Sequence, residues 1–252
     1  ILNHSNTRLS SMNLEQNVTT RRGRPKSEEK RKNIQEAAAN LFLKEGYERC
    51  SMDSIAAAAG VSKQTVYSHF DNKDELFRCC IAKKVEMYDL RVRTSEHDDL
   101  ESGLASFANG FLRLVSDPQA AKMWRLMMNE AEGHSRVAQM FYETGPGESL
   151  QSLAEFLELH HDRLATDDFS GAARTFLALT ADTYHLRILL GVIDQVNDNE
   201  RHRHVPRVTD QFMRLFGTAE AAAAGEERRL ESASSSARRA LSSSAAKDAA
   251  AS

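Results

Sequence analysis

Apolar residues recur every three or four positions along most of the chain, which is the spacing of amphipathic helices. The first clear run contains Ile34, Ala37, Ala38, Leu41 and Phe42 and ends at Gly46. No segment alternates between apolar and polar residues with a period of two, so no strand is predicted. The pattern therefore predicts an all-α protein.

Residues 51–70 predict two short helices around a tight turn. Ser51 and Ser62 are placed to cap the two helices, and Gly60 can adopt the left-handed conformation that the turn needs. Val66 and Phe70 lie four residues apart and should face inward. The outward face would then be polar, formed by Lys63, Gln64, Thr65, Tyr67, Ser68 and His69. A helix-turn-helix protein places a helix of this kind in the major groove of DNA.

Further helices are predicted after this unit from periodicity and from the positions of glycine, proline and polar clusters. The predicted helices cover 73 to about 93, 100–115, 118–132, 137–142 with a break at Gly145-Pro146-Gly147, 148–164, 169–193 and, after a polar loop QVNDNERHRH, a short last helix ending at Phe216. The expected organisation is an N-terminal three-helix domain at 27–73 and a larger helical domain at 74–217. A disordered arm, 1–26, and a disordered Ala/Ser-rich tail, 218–252, would flank them.

The N-terminal arm carries a basic RGRP segment. Gly23 and Pro25 should keep the basic residues around them extended, among them Arg22, Arg24 and Lys26. The segment is similar to an AT-hook, whose arginines lie in a narrow minor groove. The alternative is a solvated tail that adds only nonspecific attraction to phosphate.

The charge distribution changes the meaning of a formal net charge of −3. Residues 21–73 contain 11 Lys/Arg and 7 Asp/Glu, a net +4, whereas residues 74–252 carry a net −7. A basic N-terminal unit on an acidic body indicates nucleic acid as the partner and locates the contact at the N-terminal end.

The segments NIQEAAANLFLKEGYERCSMDSIA and GVSKQTVYSHFDNKDEL resemble the DNA-binding domain of TetR-type bacterial transcriptional regulators, continuously from about Lys32 to Phe77. The resemblance implies base contacts from Lys63, Gln64, Thr65 and Ser68, with Ser51 among the DNA-contacting positions. It also implies phosphate contacts from Tyr67, His69 and Lys73. Gln64 is the best candidate to read a base, because its amide can pair with adenine in a bidentate manner.

The segment EAEGHSRVAQMFYETGPGESLQSLAEFL resembles the C-terminal domain of the AefR-like subgroup. That resemblance implies a ligand-sensing and dimerising domain. A homodimer is expected because one reading helix covers too few base pairs. The predicted dimer interface, with burial inside one subunit as the alternative, is Phe176, Leu186, Leu190, Ile193, Phe212, Leu215 and Phe216.

Aromatic and methionine side chains at helical spacing predict an apolar pocket, with ordinary core packing as the alternative. The predicted lining is Phe107, Phe111, Met123, Trp124, Met127, Phe141 and Tyr184, with His134 or His185 as the polar group. The pairs His160-His161 and His202 with His204 are expected to be solvated surface rather than a metal site.

Other classes of protein find no support in the sequence. Motifs of nucleophilic, phosphate-binding or metal-dependent enzymes are absent, and no cofactor or metal is expected. The three cysteines predict neither a disulfide framework nor a metal site. The first twenty residues lack the apolar core of a secretory signal, Met12 is a candidate start, and no apolar run reaches eighteen residues. We therefore expect a cytoplasmic protein that joins the nucleoid when it binds DNA.

The sequence thus predicts a homodimeric DNA-binding regulator, and we expect a repressor that a small apolar effector releases from duplex operator DNA. The alternatives are a constitutive or activating regulator without an effector, and an architectural protein that binds A·T tracts.

Overall fold

The computed structural model describes residues 24–90, 99–130 and 135–220. These segments form eleven α-helices, one π-helical turn at Glu143–Gly147 and one 3₁₀ turn at His161–Arg163. They contain no strand and a single isolated bridge, between Leu164 and Gly217, which confirms the all-α prediction. The α-helices are α1 (Arg24–Glu45), α2 (Met52–Ala59), α3 (Lys63–Tyr67), α4 (Lys73–Met87), α5 (Leu100–Val115), α6 (Pro118–Glu130), α7 (Arg136–Tyr142), α8 (Glu148–Leu159), α9 (Phe169–Ala181), α10 (Tyr184–Leu189) and α11 (Asp198–Phe216).

The turn between α2 and α3 forms as its sequence predicts. The hydroxyl of Ser51 accepts a hydrogen bond from the backbone N–H of Ser54, whose own hydroxyl accepts one from the N–H of Ser51, both at 3.0 Å. Gly60 closes α2 with a φ of 65°, and the Ser62 hydroxyl accepts from the Thr65 N–H at 3.1 Å. The turn between α2 and α3 is therefore built from local capping contacts.

Helix α1 begins at Arg24, so the prediction that Arg24 and Lys26 are extended is wrong. Pro25 lies in the first turn, where its missing N–H would have no helical partner and its fixed φ suits a helix. Arg22 and the rest of the arm, His134 and the Ala/Ser-rich segment from 221 onward lie outside the described residues.

Helix α4 belongs to two apolar clusters at once. Leu76, Phe77 and Ile81 pack in a cluster with α1, α2 and α3, whereas Val85 packs in the cluster of the C-terminal helices. The N-terminal cluster also takes side chains from α6 and α7, namely Met123, Met127, Val137, Met140 and Phe141. A boundary at residue 73 therefore does not separate the two cores.

The glycine-proline segment after α7 continues the helix instead of breaking it. Residues 143–147 form a π-helical turn that contains Pro146 and leads directly into α8. A wider turn accommodates proline, which cannot donate the usual helical hydrogen bond and crowds the preceding turn. Gly145 is buried there, and a Cβ on it would lie 3.2 Å from Ile81 Cγ2.

The predicted long helix 169–193 is two helices, α9 and α10. Asp182 and Thr183 separate them, and Asp182 adopts a φ of 42°. Both residue types hydrogen-bond readily outside helices, which makes them weak helix formers, and Asp also tolerates a positive φ. The Arg125 guanidinium of α6 then holds α10 by donating to the carbonyl oxygens of Ile188 at 2.6 Å and Leu189 at 2.8 Å.

The last helix is longer than predicted, because α11 begins at Asp198 inside the segment expected to be a loop. The signal was present in the sequence: Asn197 and Glu200 form a reciprocal capping box at its start. The same segment buries His204, whose Nε2 lies 2.9 Å from the carbonyl oxygen of Thr180. The prediction that His204 is solvated surface is wrong, whereas His202 is exposed.

Among the described helices, none is long and apolar enough to cross a membrane.

Candidate nucleic-acid interface and ligand cavity

Helix α3 is anchored by its apolar side and presents a polar side. Val66 and Phe70 are fully buried, as predicted. The Arg31 guanidinium of α1 lies 4.3 Å from the centre of the Phe70 ring and donates to the carbonyl oxygen of His69 at 2.7 Å. These contacts fix the orientation in which Lys63, Gln64, Tyr67 and Ser68 remain exposed.

The polar residues of α3 differ in how far they are already engaged. The Ser68 hydroxyl donates to the Thr65 carbonyl at 2.7 Å, and the half-buried Thr65 hydroxyl lies 2.8 Å from that of Ser62. Gln64 makes no side-chain hydrogen bond with the part of the chain that the structure describes. Its amide therefore needs to break no existing contact to reach a base.

Lys63 is paired with an acidic residue of α2. Its ammonium lies 2.8 Å from an Asp53 carboxylate oxygen, and both side chains are exposed. The hydrogen bond from Lys63 to Asp53, followed by their Coulombic attraction, raises the pKa of Lys63. The lysine keeps its charge, but its ammonium is already paired with Asp53. A contact with DNA would have to replace this ion pair.

Lys73, predicted to reach phosphate, is directed into the domain. Its ammonium donates to the carbonyl oxygens of Tyr47 at 2.9 Å and Cys50 at 3.1 Å, with that of Glu48 at 3.5 Å. It also lies 4.1 Å from the centre of the Tyr47 ring. The three protons are thus committed to the α1–α2 connection, and this geometry favours a structural role. Ser51 is likewise occupied by its cap.

A largely apolar cavity of about 340 Å³ lies between the N-terminal and C-terminal parts of the fold. Five residues of the predicted pocket line it: Phe107, Phe111, Met123, Trp124 and Phe141. Helix α4 contributes Cys80, Ile81, Lys84 and Val85 to the same wall. Helix α4, which also packs against α1, α2 and α3, therefore forms part of the cavity wall.

Two residues of the predicted pocket lie elsewhere, so those assignments are wrong. Met127 is buried in the N-terminal cluster one helical turn along α6 from Met123, beyond the part of α6 that lines the cavity. Tyr184 packs edge-on against His204, with ring centres 5.0 Å apart, because α10 turns it toward α11. His185, the neighbouring residue, does line the cavity.

Polar groups at one end of the cavity are held by a small network. The Lys84 ammonium lies 2.8 Å from a carboxylate oxygen of Asp117, and the Tyr88 hydroxyl donates to that carboxylate at 2.6 Å. Burial opposes ionisation of Asp117, but these hydrogen bonds outweigh it and hold its pKa below the ordinary value. Burial and the bond to Asp117 raise the pKa of Tyr88 to about 12. The network ties the end of α4 to the start of α6.

The cysteine in the cavity wall is a poor nucleophile. Burial raises the pKa of Cys80 to about 12, and its thiol donates to the Gln35 carbonyl at 3.4 Å. No group of three or more His, Cys, Asp or Glu residues suited to a metal ion occurs in the described ranges.

Two of the seven predicted dimer residues belong to the subunit core. Phe176 and Phe212 are fully buried and pack against each other with ring centres 5.2 Å apart, so no partner can reach them. The reason is that α9 and α11 pack face to face within one chain. Leu186, Leu190 and Leu215 are 58, 70 and 63% exposed, whereas Ile193 and Phe216 are half-buried.

An exposed polar helix on a three-helix scaffold, joined to a helical body with an internal cavity, defines a helix-turn-helix DNA-binding regulator. Comparisons with known proteins agree. Residues 34–80 match the family described as bacterial regulatory proteins, tetR family, and residues 102–218 match the AefR-like transcriptional repressor, C-terminal domain. The chain belongs to the TetR family of transcriptional regulators, a family of DNA-binding regulators and not of enzymes.

Individual relatives support the assignment. The HTH-type transcriptional regulator TtgR of Pseudomonas putida is 38% identical over 116 residues, which are 44% of this chain and 55% of TtgR. The chain thus spans about half the length of that curated relative. A TetR-family regulator structure from Mesorhizobium loti is 26% identical with a TM-score of 0.61, covering 76% of this chain and 98% of that one. The flavonoid-responsive regulator FrrA is 30% identical with a TM-score of 0.61, covering 76% and 99%.

Proposed function

We propose that the chain acts as a homodimeric, operator-binding repressor that a small apolar molecule releases from DNA. The observation that carries this proposal is that α4 contributes side chains to both apolar clusters. Ile81 and Val85 both line the cavity, yet they belong to different apolar clusters, one of which holds the reading helix. A molecule that changes the packing around α4 can therefore change the orientation of α3.

The DNA-reading role rests on the exposed face of α3. Gln64 is unengaged within the described structure and is our candidate for the base contact. Lys63, Thr65 and Ser68 are the proposed base contacts beside it, and Tyr67 and His69 are the proposed phosphate contacts. Arg22, which precedes α1, and Arg24 and Lys26 in the first turn of α1 remain proposed DNA contacts. A regulator with this partner would work in the cytoplasm at the nucleoid.

The effector role rests on the cavity and on one relative. A largely apolar space of about 340 Å³ lies in the volume range of sites for small organic molecules. The relative FrrA, at 30% identity, is described as flavonoid-responsive. Release requires that the ligand favour a conformer in which the two reading helices no longer match two half-sites one helical turn apart.

The dimer role rests on the leucines that the subunit leaves uncovered. Leu186 on α10, Leu190 just past its end and Leu215 on α11 are more than half exposed although they are large and apolar. Such residues gain stability when a second copy covers them. With Ile193 and Phe216 they form the proposed interface, without Phe176 and Phe212.

Selection of bound duplexes from a random pool tests the proposal. We expect a discrete inverted repeat with two half-sites, followed by release when a library of apolar compounds is added to the selected complex. Phe111→Ala and Trp124→Ala should weaken the response to a releasing compound without weakening operator binding. A broad footprint without half-sites would support an architectural protein, and binding that no compound alters would support constitutive regulation.

A further inference from the structure

One polar group in the cavity wall has no partner of its own. The Nε2 atom of His185 is buried and makes no hydrogen bond with any described residue. Other polar groups of the wall are engaged: Lys84 with Asp117, Ser149 with the Gly145 carbonyl at 2.9 Å, and Cys80 with the Gln35 carbonyl. Among the described residues of the wall, His185 is therefore the one with a buried polar atom that lacks a partner.

The position of the ring is fixed by aromatic neighbours and by its helix. The imidazole packs edge-on against Trp124, with ring centres 4.9 Å apart, and against Phe111 at 6.0 Å. Both neighbours also line the cavity. Helix α10 cannot shift easily, because Arg125 binds the carbonyl oxygens of its last turn. The ring thus stands in the cavity wall on a helix anchored to α6.

The chemistry of this site favours an uncharged ligand. Burial lowers the pKa of His185, so the imidazole is neutral at neutral pH and offers one N–H donor and one nitrogen acceptor. Buried polar atoms are normally hydrogen-bonded, and an unpaired one lowers the stability of the folded state. The imidazole lines the cavity, so rotation about the Cβ–Cγ bond, without displacing the ring, would bring a nitrogen to the cavity surface, where a ligand hydroxyl could bond to it.

We infer that the cavity takes an uncharged apolar molecule carrying a hydroxyl group, and that His185 selects this molecule by hydrogen bonding to that hydroxyl. This inference rests on the proposed effector function and adds the ligand class and the specificity residue. The competing arrangement is an acidic ligand whose carboxylate pairs with Arg174, an exposed residue at the edge of the cavity.

Isothermal titration calorimetry with three compounds that share the naphthalene ring system distinguishes a hydroxyl ligand from an acidic one. The probes are naphthalene, 2-naphthol and 2-naphthoate, added at pH 7 to the full chain. We expect wild type to bind 2-naphthol about tenfold more tightly than naphthalene, the ratio that one satisfied buried hydrogen bond corresponds to. His185→Phe should keep its affinity for naphthalene and lose the preference, and His185→Gln, whose amide can still form the bond, should retain part of it.

Arg174→Gln is the matched control and should leave the preference for 2-naphthol unchanged. Equal binding of naphthalene and 2-naphthol to wild type would overturn the role of His185 while leaving the cavity as the effector site. A preference for 2-naphthoate that Arg174→Gln removes would replace the inference with the acidic ligand. Binding of none of the three would contradict both the inference and an effector role for the cavity.

Discussion

At the scale of single residues, the reading helix separates side chains that hold the domain together from side chains free for DNA. Arg31 and Lys73 belong to a basic unit, yet the first binds the His69 carbonyl and the second binds carbonyls of the α1–α2 connection. Gln64 and Tyr67 are uncharged and exposed. The distribution of net charge thus indicates which end of the molecule would bind DNA. The contacts within the domain decide which side chains are free to reach the bases.

Replacing Gln64 by alanine should reduce specificity more than general affinity for DNA. Loss of a bidentate contact to adenine should cost about 1–3 kcal/mol on the selected operator and relax one position of each half-site. Fluorescence anisotropy on operator and scrambled duplexes measures both effects. Gln151→Ala, an exposed glutamine on α8, should change neither, and equal losses on both duplexes would remove Gln64 from base reading.

Replacing Lys73 by methionine should lower the stability of the N-terminal unit. The change removes the charged donor of the hydrogen bonds to Tyr47 and Cys50, each of the kind that contributes about 1.5–3 kcal/mol. Thermal unfolding followed by circular dichroism should show an earlier transition than for Lys44→Met, an exposed lysine of α1. An unchanged melting temperature, together with weaker binding to every duplex, would instead assign Lys73 a phosphate contact.

Residues with local partners were predictable from the sequence, and those with distant partners were not. The caps at Ser51, Ser62 and Gly60 depend on neighbours three or four positions away, and they form as predicted. Lys73 and His204 bind carbonyls 26 and 24 residues away, so their burial depends on tertiary packing. In the cavity wall, Tyr184 was assigned wrongly because the orientation of α10 was unknown, whereas its neighbour His185, also a candidate, does line the cavity.

At the scale of elements, the end of α4 approaches α5 so closely that only a glycine fits at the point of contact. Gly110 of α5 lies against the carbonyl group of Tyr88, just past the end of α4, and a Cβ there would overlap the carbonyl oxygen. Backbone cannot rotate away as a flexible side chain can. The close approach keeps the end of α4 fixed relative to the cavity, which α5 lines through Phe107 and Phe111.

Gly110→Ala should therefore destabilise the protein, although alanine is the better helix former. Overpacking of this kind costs about 1–3 kcal/mol, more than the gain of roughly 1 kcal/mol in helix propensity. Urea unfolding measures the difference, with Ser106→Ala on the exposed side of α5 as the control. A Gly110→Ala variant as stable as wild type would mean that α4 and α5 separate readily here.

Helix existence followed from periodicity, but three helix boundaries did not. Gly145-Pro146-Gly147 usually ends a helix, and the chain instead passes through it as a π-helical turn. The apolar run 169–193 concealed the break at Asp182, because residues on both sides are buried by tertiary contacts. Of the three, the start of α11 could have been predicted from the sequence, since the Asn197–Glu200 capping box is a local signal.

At the scale of the whole molecule, two apolar clusters share α4, and the N-terminal one extends into α6 and α7. The sequence predicted two domains in series, because a linear pattern does not reveal which distant helices share a core. The interlocked arrangement provides a physical path from cavity to reading helix. It also means that the DNA-binding unit depends on the C-terminal helices for part of its packing.

The proposed dimer predicts that a charge at Leu190 gives a monomer. A glutamate there would be desolvated in the interface without a partner, whereas in a monomer it would be solvated. Sedimentation velocity should report a smaller particle for Leu190→Glu and an unchanged one for Leu159→Glu, a control leucine on α8 that is 57% exposed against 70% for Leu190. A dimer that persists in Leu190→Glu would move the interface away from α10.

The central claim is that occupancy of the cavity controls affinity for DNA. It is tested most directly by the operator dissociation constant, measured with and without a releasing compound, in wild type and in Phe111→Trp, which fills part of the cavity. The account predicts that both proteins bind the free operator alike and that the compound weakens binding only by wild type, because the coupling requires an occupied cavity. Equal release of both proteins from DNA would contradict it.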